Sequence, residues 1–246
     1  MGIFNSLFSK NKTLSDFSFL ATDVHSHILP GIDDGAKDVA DSIEIVLLLK
    51  KLGFKKIIAT PHISTEHYNN SIETVENAYS LLKTSLKEQD IEMEIEYAAE
   101  YLIDYDFERR LDTEKLLTFG NNYILIELPY FQYPQNFFHI LFKLRLAGYN
   151  PILAHPERYH YWNNDIKTYE ELKDKEVLLQ MNILSLIGYY DIFAKKNAIQ
   201  LLGKGFIDFM GTDIHNVLFA NFSDKVLKNK FLKNSALLKN IKNNKL

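Results

Sequence analysis

Short apolar runs alternate with amphipathic stretches along the whole chain, and this alternation restricts the fold more than any other sequence feature. Seven of the runs have the character of β-strands: Phe19–Val24, Lys56–Thr60, Met93–Ala99, Tyr123–Glu127, Pro151–His155, Val177–Met181 and Ile207–Met210. Strands that alternate with helices are typical of an α/β protein with a mainly parallel sheet. Because no linker, repeat or low-complexity segment divides the chain, we expect one domain over residues 19–246, preceded by an N-terminal arm over residues 1–18.

The amphipathic stretches between the runs have helical spacing. Their apolar residues recur every three or four positions, which is typical of a helix that packs on one face. We expect helices at Val39–Leu52, from Asn70 onward, at Gln135–Ala147, at Leu184–Leu202 and at Phe231–Lys242. Asn70 is the expected cap of the second helix, and Gly53, Gly148 and Gly203 are the expected ends of the first, third and fourth.

The composition excludes several classes of function. The 246 residues contain no cysteine, which excludes a disulfide scaffold, a thiolate metal site and a phosphatase that forms a phosphocysteine intermediate. The net charge of −4 provides no electrostatic footprint for nucleic acid or for an anionic membrane. Since no apolar run approaches the ~18–20 residues that span a bilayer, we expect a cytoplasmic protein with no nucleic-acid partner and no stable membrane insertion.

Histidines and carboxylates follow the predicted strands at the point where each strand ends. His25 and His27 close the first strand, and because alternate residues of a strand face the same side, their imidazoles project together. The last strand is followed by a second pair of this kind, Asp213 and His215. The intervening strands end on single polar residues: His62, Glu100, Glu127 and His155.

This recurrence predicts a metal site. A single member of the set is equally compatible with a turn or with a hydrogen-bonded core histidine, but an unpaired carboxylate at the end of a buried strand is very costly. Oxygen and nitrogen ligands without sulfur suit Zn, Mn or Fe. Ligands from six of seven strands converge only if the strands surround a common axis, so we expect a closed barrel with the site at its C-terminal mouth.

Five motifs, in this order between Asp23 and His215, resemble the polymerase-and-histidinol-phosphatase (PHP) superfamily. They are His25-Ser26-His27, Leu29-Pro30-Gly31-Ile32-Asp33-Asp34-Gly35, Thr60-Pro61-His62, Ala154-His155-Pro156-Glu157-Arg158-Tyr159 and Gly211-Thr212-Asp213-Ile214-His215. Within the superfamily they resemble the bacterial branch of manganese-dependent protein-tyrosine phosphatases that act in capsule and exopolysaccharide synthesis. The resemblance implies a distorted seven-stranded (β/α) barrel that holds three divalent metal ions.

The resemblance also implies a role for each matching residue. The first metal would be held by His25, His27, Glu100 and Asp213. Glu100 would bridge to a second metal completed by Glu127 and His155, and Asp34, His62 and His215 would hold a third. Asp33 stands beside Asp34 and is the alternative ligand. Manganese is the expected metal, with iron or zinc as alternatives. The catalytic residues would be Glu100 and Arg158, of which Arg158 would bind the phosphate.

The chemistry of these residue types agrees with a phosphatase. Clustered divalent ions neutralise a phosphomonoester and lower the pKa of a bound water to about 7, so hydroxide forms without a cysteine nucleophile. We therefore expect hydrolysis of phosphotyrosine on proteins, and the resemblance implies that the substrate is the tyrosine-rich tail of a polysaccharide-assembly autokinase. The alternatives are a PHP phosphatase acting on a small phosphomonoester such as histidinol phosphate, and a non-catalytic regulatory module that keeps the barrel.

Two further sets of residues are expected near the mouth of the barrel. Gln180 and Asn182 end the one strand without a predicted ligand, and we consider them candidates for contact with the substrate. Aromatic residues follow the fourth and fifth strands: Tyr130, Phe131, Tyr133, Tyr159, Tyr161 and Trp162. These rings either flank an aromatic leaving group or pack in the rim of the barrel.

Overall fold

A computed structural model describes residues 14–246. Most of the arm predicted over residues 1–18 lies outside this range, and the boundary between arm and domain stays a prediction. Phe17, near that boundary, is fully buried and stacks on Phe54 with the ring centroids 5.6 Å apart. The chain is therefore part of the hydrophobic core from this residue onward.

All the ladder pairings between the described strands are parallel, as expected for an α/β protein. The strands are β1 (Thr22–Ser26), β2 (Lys56–Ala59), β3 (His62–Ile63), β4 (Glu94–Tyr97), β5 (Glu100–Leu102), β6 (Tyr123–Glu127), β7 (Asn150–Ala154), β8 (Leu178–Asn182) and β9 (Phe209–Gly211). One sheet has the order β1-β2-β4, and the other has the order β3-β5-β6-β7-β8-β9. The carboxyl ends of parallel strands lie on one side of a sheet, which is where the predicted ligands stand.

The closed seven-stranded barrel predicted from the sequence is not confirmed, because the strands form two sheets. The second and third predicted runs contain β2 and β4, and each is followed, after a break, by a short strand that was not predicted, β3 and β5. Pro61 lies at the first break and has no N–H to donate to a ladder. Backbone hydrogen bonds nevertheless join the two breaks to each other: Ala98 N donates to Ala59 O at 2.8 Å, and Glu100 N donates to Pro61 O at 3.0 Å. The segment after β9 also bonds to the end of β1, with Asp213 N 2.9 Å from His25 O.

The helices follow the predicted alternation in part. They are α1 (Val39–Lys51), α2 (Ile72–Glu88), α3 (Phe107–Thr113), α4 (Phe137–Leu146), α5 (Ile166–Asp174), α6 (Ile192–Lys204) and α7 (Ala220–Leu227). The predictions for α1 and α4 are confirmed to within two residues at each end, whereas α3, α5 and α7 were not predicted. None of the helices within residues 14–246 combines the length and the apolar character needed to cross a bilayer.

Three helix predictions are wrong in detail. Ser71, not Asn70, caps α2, and the Asn70 side chain instead donates to the carbonyls of Ile32 and His62 at 2.7 and 2.9 Å. The stretch Leu184–Leu202 is divided because the Asp191 side chain accepts bonds from the backbone N–H groups that begin α6. That helix ends at Gly205 in the left-handed conformation, with φ of 71°, and not at Gly203.

The C-terminal segment Phe231–Lys242, predicted as a helix, forms successive turns. Its residues bond to other parts of the chain: Asn240 donates to the carbonyl of Gly205 at 2.8 Å. Just beyond it, the buried Asn243 side chain donates to the carbonyls of Thr22 and Met210, at 2.8 and 2.6 Å. These bonds attach the tail to the first residue of β1 and to β9, at the end of the molecule away from the predicted ligands.

Candidate metal centre

The structure brings all nine predicted ligands together at the carboxyl ends of the strands. Five of them are buried: His25, His27, Glu100, Glu127 and His155. The other four, Asp34, His62, Asp213 and His215, lie on the more open side of the cluster. Most of them lie at or just after the carboxyl ends of strands, whereas His62 and Glu100 begin the short strands β3 and β5 that continue beyond β2 and β4.

Ligand atoms in this cluster form four overlapping groups, within each of which they lie within 4.8 Å of one another. The groups are His27, Asp34, His62 and His215; His25, Glu100 and His155; His25, His27 and Asp213; and His62, Glu100 and Glu127. Because neighbouring groups share Glu100, His25, His27 or His62, the candidate positions lie side by side. This arrangement is suited to closely spaced cations.

Glu100 occupies the centre of the cluster and is fully buried. Its Oε2 lies 3.1 Å from His25 Nε2 and 3.1 Å from His62 Nδ1, and its Oε1 lies 3.1 Å from His155 Nε2. Burial alone would raise the pKa of Glu100, but the charges of His25 and His62 hold it well below its usual range. Glu100 is therefore ionised, with its two oxygens directed toward different histidines.

Protonated histidines compensate the buried carboxylates of the cluster. Burial lowers the pKa of His25, but the charges of Glu100 and Asp213 outweigh it and raise the pKa to about 9. For Glu127, burial and then the charges of Glu100 and Asp213 raise the pKa well above its usual range. Three carboxylates this close together in a buried place, Glu100, Glu127 and Asp213, require protons or cations to compensate their charge. Imidazole nitrogens and carboxylate oxygens are ligands for divalent metals. The residues present therefore fit a metal, whose binding would displace these protons.

Two of the candidate ligands have left-handed backbone conformations. His155 directly follows β7 with φ of 31°, and Asp213 follows β9 with φ of 52°. A residue other than glycine held in this region costs of order 1–3 kcal/mol and is common at functional sites.

The ring of His155 is in the protonation state that binds a metal. Burial and then the charge of Arg158 lower the pKa of His155 to about 4, so its ring is neutral at neutral pH.

The structure separates the roles of the two adjacent aspartates. The Asp33 side chain is fully buried, its Oδ2 lies 2.8 Å from His27 Nδ1, and it accepts the backbone N–H of His62 at 3.1 Å. The Asp34 side chain is 49% exposed, and its Oδ1 lies 3.3 Å from His215 Nε2 and 3.6 Å from His62 Nε2. Asp34 therefore lies among the candidate ligands, while Asp33 fixes the ring of His27 from behind.

Arg158 lies on the wall of the cavity into which the cluster opens. This cavity has a volume of about 260 Å³ and is also lined by Glu127, His155 and Asp213. The Arg158 Nη1 atom donates to Asp213 Oδ2 at 3.2 Å. The guanidinium carbon lies 4.2 Å from the ring centre of Tyr190 and 4.9 Å from that of Tyr130. A charged guanidinium beside a metal cluster is an arrangement that can bind an anion such as phosphate.

The sequence model for the family "Capsular polysaccharide synthesis, CpsB/CapC" matches residues 21–220, which include every one of these side chains. The chain belongs to the CpsB/CapC family. The resemblance noted from the motifs, to the capsule branch of bacterial tyrosine phosphatases, is confirmed by this match.

Two named tyrosine-protein phosphatases are similar to this chain over most of its length. This chain is 35% identical over 201 residues to the tyrosine-protein phosphatase YwqE of Bacillus subtilis (strain 168). The aligned region covers 81% of this chain and 79% of YwqE. The chain is 27% identical over 225 residues to the putative tyrosine-protein phosphatase CapC of Staphylococcus aureus, covering 89% and 88% of the two chains.

A solved structure has the same fold. It comes from the crystal structures of YwqE from Bacillus subtilis and CpsB from Streptococcus pneumoniae, described as unique metal-dependent tyrosine phosphatases. The TM-score is 0.76 with 31% sequence identity, over 89% of this chain and 95% of the solved one. An α/β fold with parallel sheets is thereby common to both proteins.

In this CpsB/CapC protein, Gln180 and Asn182 have a role that sequence reasoning missed. Both are fully buried and lie behind the ligands, so the expectation that they contact the substrate is wrong. Gln180 Oε1 lies 2.9 Å from His25 Nδ1, and Asn182 Nδ2 donates to Asp213 Oδ2 at 2.6 Å. An amide oxygen only accepts, so it holds the proton on Nδ1 and leaves Nε2 as the ligand atom of a neutral His25. The available signal was their alternation on β8, which turns both toward the ligands of neighbouring strands.

Replacement of Gln180 with leucine is expected to weaken metal binding 10- to 100-fold, because groups that orient a metal-binding histidine typically contribute this much. Gln180→Glu, which keeps an acceptor for His25 Nδ1, should retain more affinity than Gln180→Leu. Competition for the metal against a chromophoric chelator measures the effect. Gln200→Leu, on the exposed face of α6, is the matched control. Equal affinities for Gln180→Leu and the control would contradict the positioning role.

Proposed function

We propose that this CpsB/CapC chain hydrolyses phosphotyrosine on proteins in a metal-dependent reaction. The observation that carries the proposal is the shared cavity: six of the nine candidate ligands and the side chain of Arg158 line it together. A phosphate bound there would meet cations on one side and a planar donor on the other. The names of the relatives, tyrosine-protein phosphatases, support the choice of substrate.

We further propose that three divalent ions occupy the cluster, manganese being the expected metal and iron or zinc the alternatives. One ion would be held by His25, His27, Glu100 and Asp213, a second by Glu100, Glu127 and His155, and a third by Asp34, His62 and His215. Such ions supply charge neutralisation and a water of lowered pKa at neutral pH. The groups of close ligand atoms support this division: Asp34, His62 and His215 fall within one group, and each of the other two sets is covered by two groups that share a residue, His25 for the first set and Glu100 for the second.

The chain itself contributes binding and orientation of the phosphoryl group. The two-pronged donor geometry of Arg158 matches two phosphoryl oxygens. Asp213 and the rings of Tyr130 and Tyr190 restrict the guanidinium, which lies 4.2 to 4.9 Å from the ring centres. A guanidinium already held in place loses little conformational freedom when the phosphate arrives, so it acts as a preorganised donor.

Further features of the proposal concern architecture, partner and location. The backbone bonds across the strand breaks and between β9 and β1 support a distorted seven-stranded PHP-type barrel. The capsular polysaccharide family supports a phosphotyrosine substrate on the tyrosine-rich tail of a polysaccharide-assembly kinase. A cytoplasmic location fits the absence of cysteine from the sequence.

The metal-loaded protein is expected to prefer a phosphotyrosyl peptide over the matching phosphoseryl peptide by on the order of 10²-fold in kcat/KM, or about 2.7 kcal/mol. The reason is the leaving group: a phenoxide, with a pKa of about 10 for its phenol, departs far more readily than an alkoxide. Phosphate release from two peptides that differ only at the phosphorylated residue measures the ratio.

Three results would contradict this expectation. Equal rates on the two peptides would indicate a phosphatase of broad specificity. Rapid hydrolysis of histidinol phosphate without activity on either peptide would favour the small-substrate alternative. Full metal content without turnover of any phosphate ester would favour the non-catalytic module.

A further inference from the structure

A second cavity, of about 570 Å³, adjoins the one that contains the ligand cluster. Three residues line both cavities: Tyr130, Arg158 and Tyr190. Phe131 and Tyr161 line the second cavity and not the first. A molecule whose phosphate is bound by Arg158 therefore has the second cavity directly beside it.

The walls of the second cavity are mainly aromatic. Phe131 is 100% exposed and its neighbour Tyr130 is 40% exposed. The Tyr161 hydroxyl donates to the carbonyl of Pro129 at 3.2 Å, so the part of Tyr161 that is left to contact a ligand in the cavity is its ring. Adjacent exposed apolar residues beside a functional cavity are typical of an interaction site, whereas isolated ones are common on any surface.

The charged groups around the second cavity already have partners. The carboxylate of Asp191 accepts the backbone N–H groups of Phe193 and Ala194, and its Oδ2 lies 2.9 Å from His160 Nε2. Arg158 is paired with Asp213, and in the proposed function it also binds the phosphate of the phosphotyrosine. No charge on these walls is therefore left to attract a second phosphate or a cation, and the aromatic surface favours an apolar group.

We propose that this second cavity, the flanking subsite, binds the apolar or aromatic side chain of a residue one or two positions from the phosphotyrosine in the substrate chain. The proposal rests on the proposed function and adds a preference for sequence around the phosphotyrosine. An extended chain advances about 3.3–3.6 Å per residue, so a side chain this close to the phosphotyrosine reaches a cavity that shares its walls. A small aryl phosphate has no group that extends into the flanking subsite.

The test compares three substrates of the manganese-loaded protein: a phosphotyrosyl peptide flanked by leucines, the same peptide flanked by serines, and phenyl phosphate. Phe131→Ala removes a fully exposed ring, so it leaves no hole in the core. We expect the ratio of kcat/KM on the leucine peptide to that on phenyl phosphate to fall about tenfold, mainly through KM, because a truncated aromatic anchor commonly costs this much. Phe142→Ala, which removes a 63% exposed ring from α4, is the matched control and should leave the ratio unchanged.

Each other outcome decides against one of the two proposals. If Phe131→Ala and Phe142→Ala give the same ratios, or if the wild-type protein does not prefer the leucine peptide over the serine peptide, the flanking subsite is wrong while the phosphatase activity stands. If the metal-loaded wild-type protein hydrolyses phenyl phosphate but neither peptide, the protein substrate is wrong and the subsite with it. If none of the three is hydrolysed, the proposed function itself fails.

Discussion

Replacement of Glu100 with glutamine is expected to lower phosphotyrosine hydrolysis by on the order of 10³-fold or more, about 4 kcal/mol in activation free energy. The loss should include metal at two of the three proposed positions, because Glu100 belongs to two of the proposed sets, and its oxygens lie 3.1 Å from His25 of the first set and 3.1 Å from His155 of the second. Glutamine keeps the size of the side chain, so it creates no cavity. It removes the negative charge that the surrounding histidines stabilise.

Elemental analysis of the purified variant, together with its kcat and melting temperature, tests this expectation. Glu88→Gln, at the exposed end of α2, is the matched control and should keep both metal content and activity. Wild-type protein stripped by a strong chelator provides the reference for complete loss, and activity should return with added divalent metal. If Glu100→Gln keeps its full metal content and wild-type turnover, Glu100 does not bridge two ions.

The positions of the candidate ligands could be predicted from sequence because a carboxylate or an imidazole directly after an apolar, buried strand is unusual. An apolar strand that ends on Glu100 or Glu127 has no packing reason to do so. The periodicity of a strand likewise implied that His25 and His27 face the same side. What the sequence did not distinguish was Asp33 from Asp34, since the direction of each side chain depends on how the loop between β1 and α1 folds.

The remaining differences arise where long-range contacts override local pattern. Phe231–Lys242 has helical spacing, yet the Asn240 and Asn243 side chains bond to strands and turns far away in sequence. Gln180 is a neutral residue within β8, and only the fold shows that it lies 2.9 Å from His25. The break between β2 and β3 at Pro61 did have a local signal, the proline itself.

Replacement of Arg158 with alanine is expected to reduce kcat by about 10²–10³-fold, or roughly 3–4 kcal/mol, the typical effect of removing one preorganised donor from a transition state. Arg158→Lys keeps the positive charge but loses the planar, two-pronged geometry, so it should restore only part of the loss. The side chain is part-buried and lines the cavity, and a guanidinium, which has donors but no acceptor, does not bind a metal. We therefore expect both variants to fold and to bind metal as the wild-type protein does.

The measurements that distinguish catalysis from structure are the metal content and melting temperature of the Arg158 variants beside their kinetics. Arg109→Ala, which removes an exposed guanidinium paired with Asp106 on α3, is the control for loss of a charge and an ion pair. Full activity of Arg158→Ala would place Arg158 outside the reaction. Because Arg158 donates to Asp213 at 3.2 Å, loss of metal in Arg158→Ala would instead make it a structural partner of that ligand. Only a fall in kcat with metal content and melting temperature unchanged supports the phosphate-binding role, since a donor that acts on the transition state leaves the ground-state protein intact.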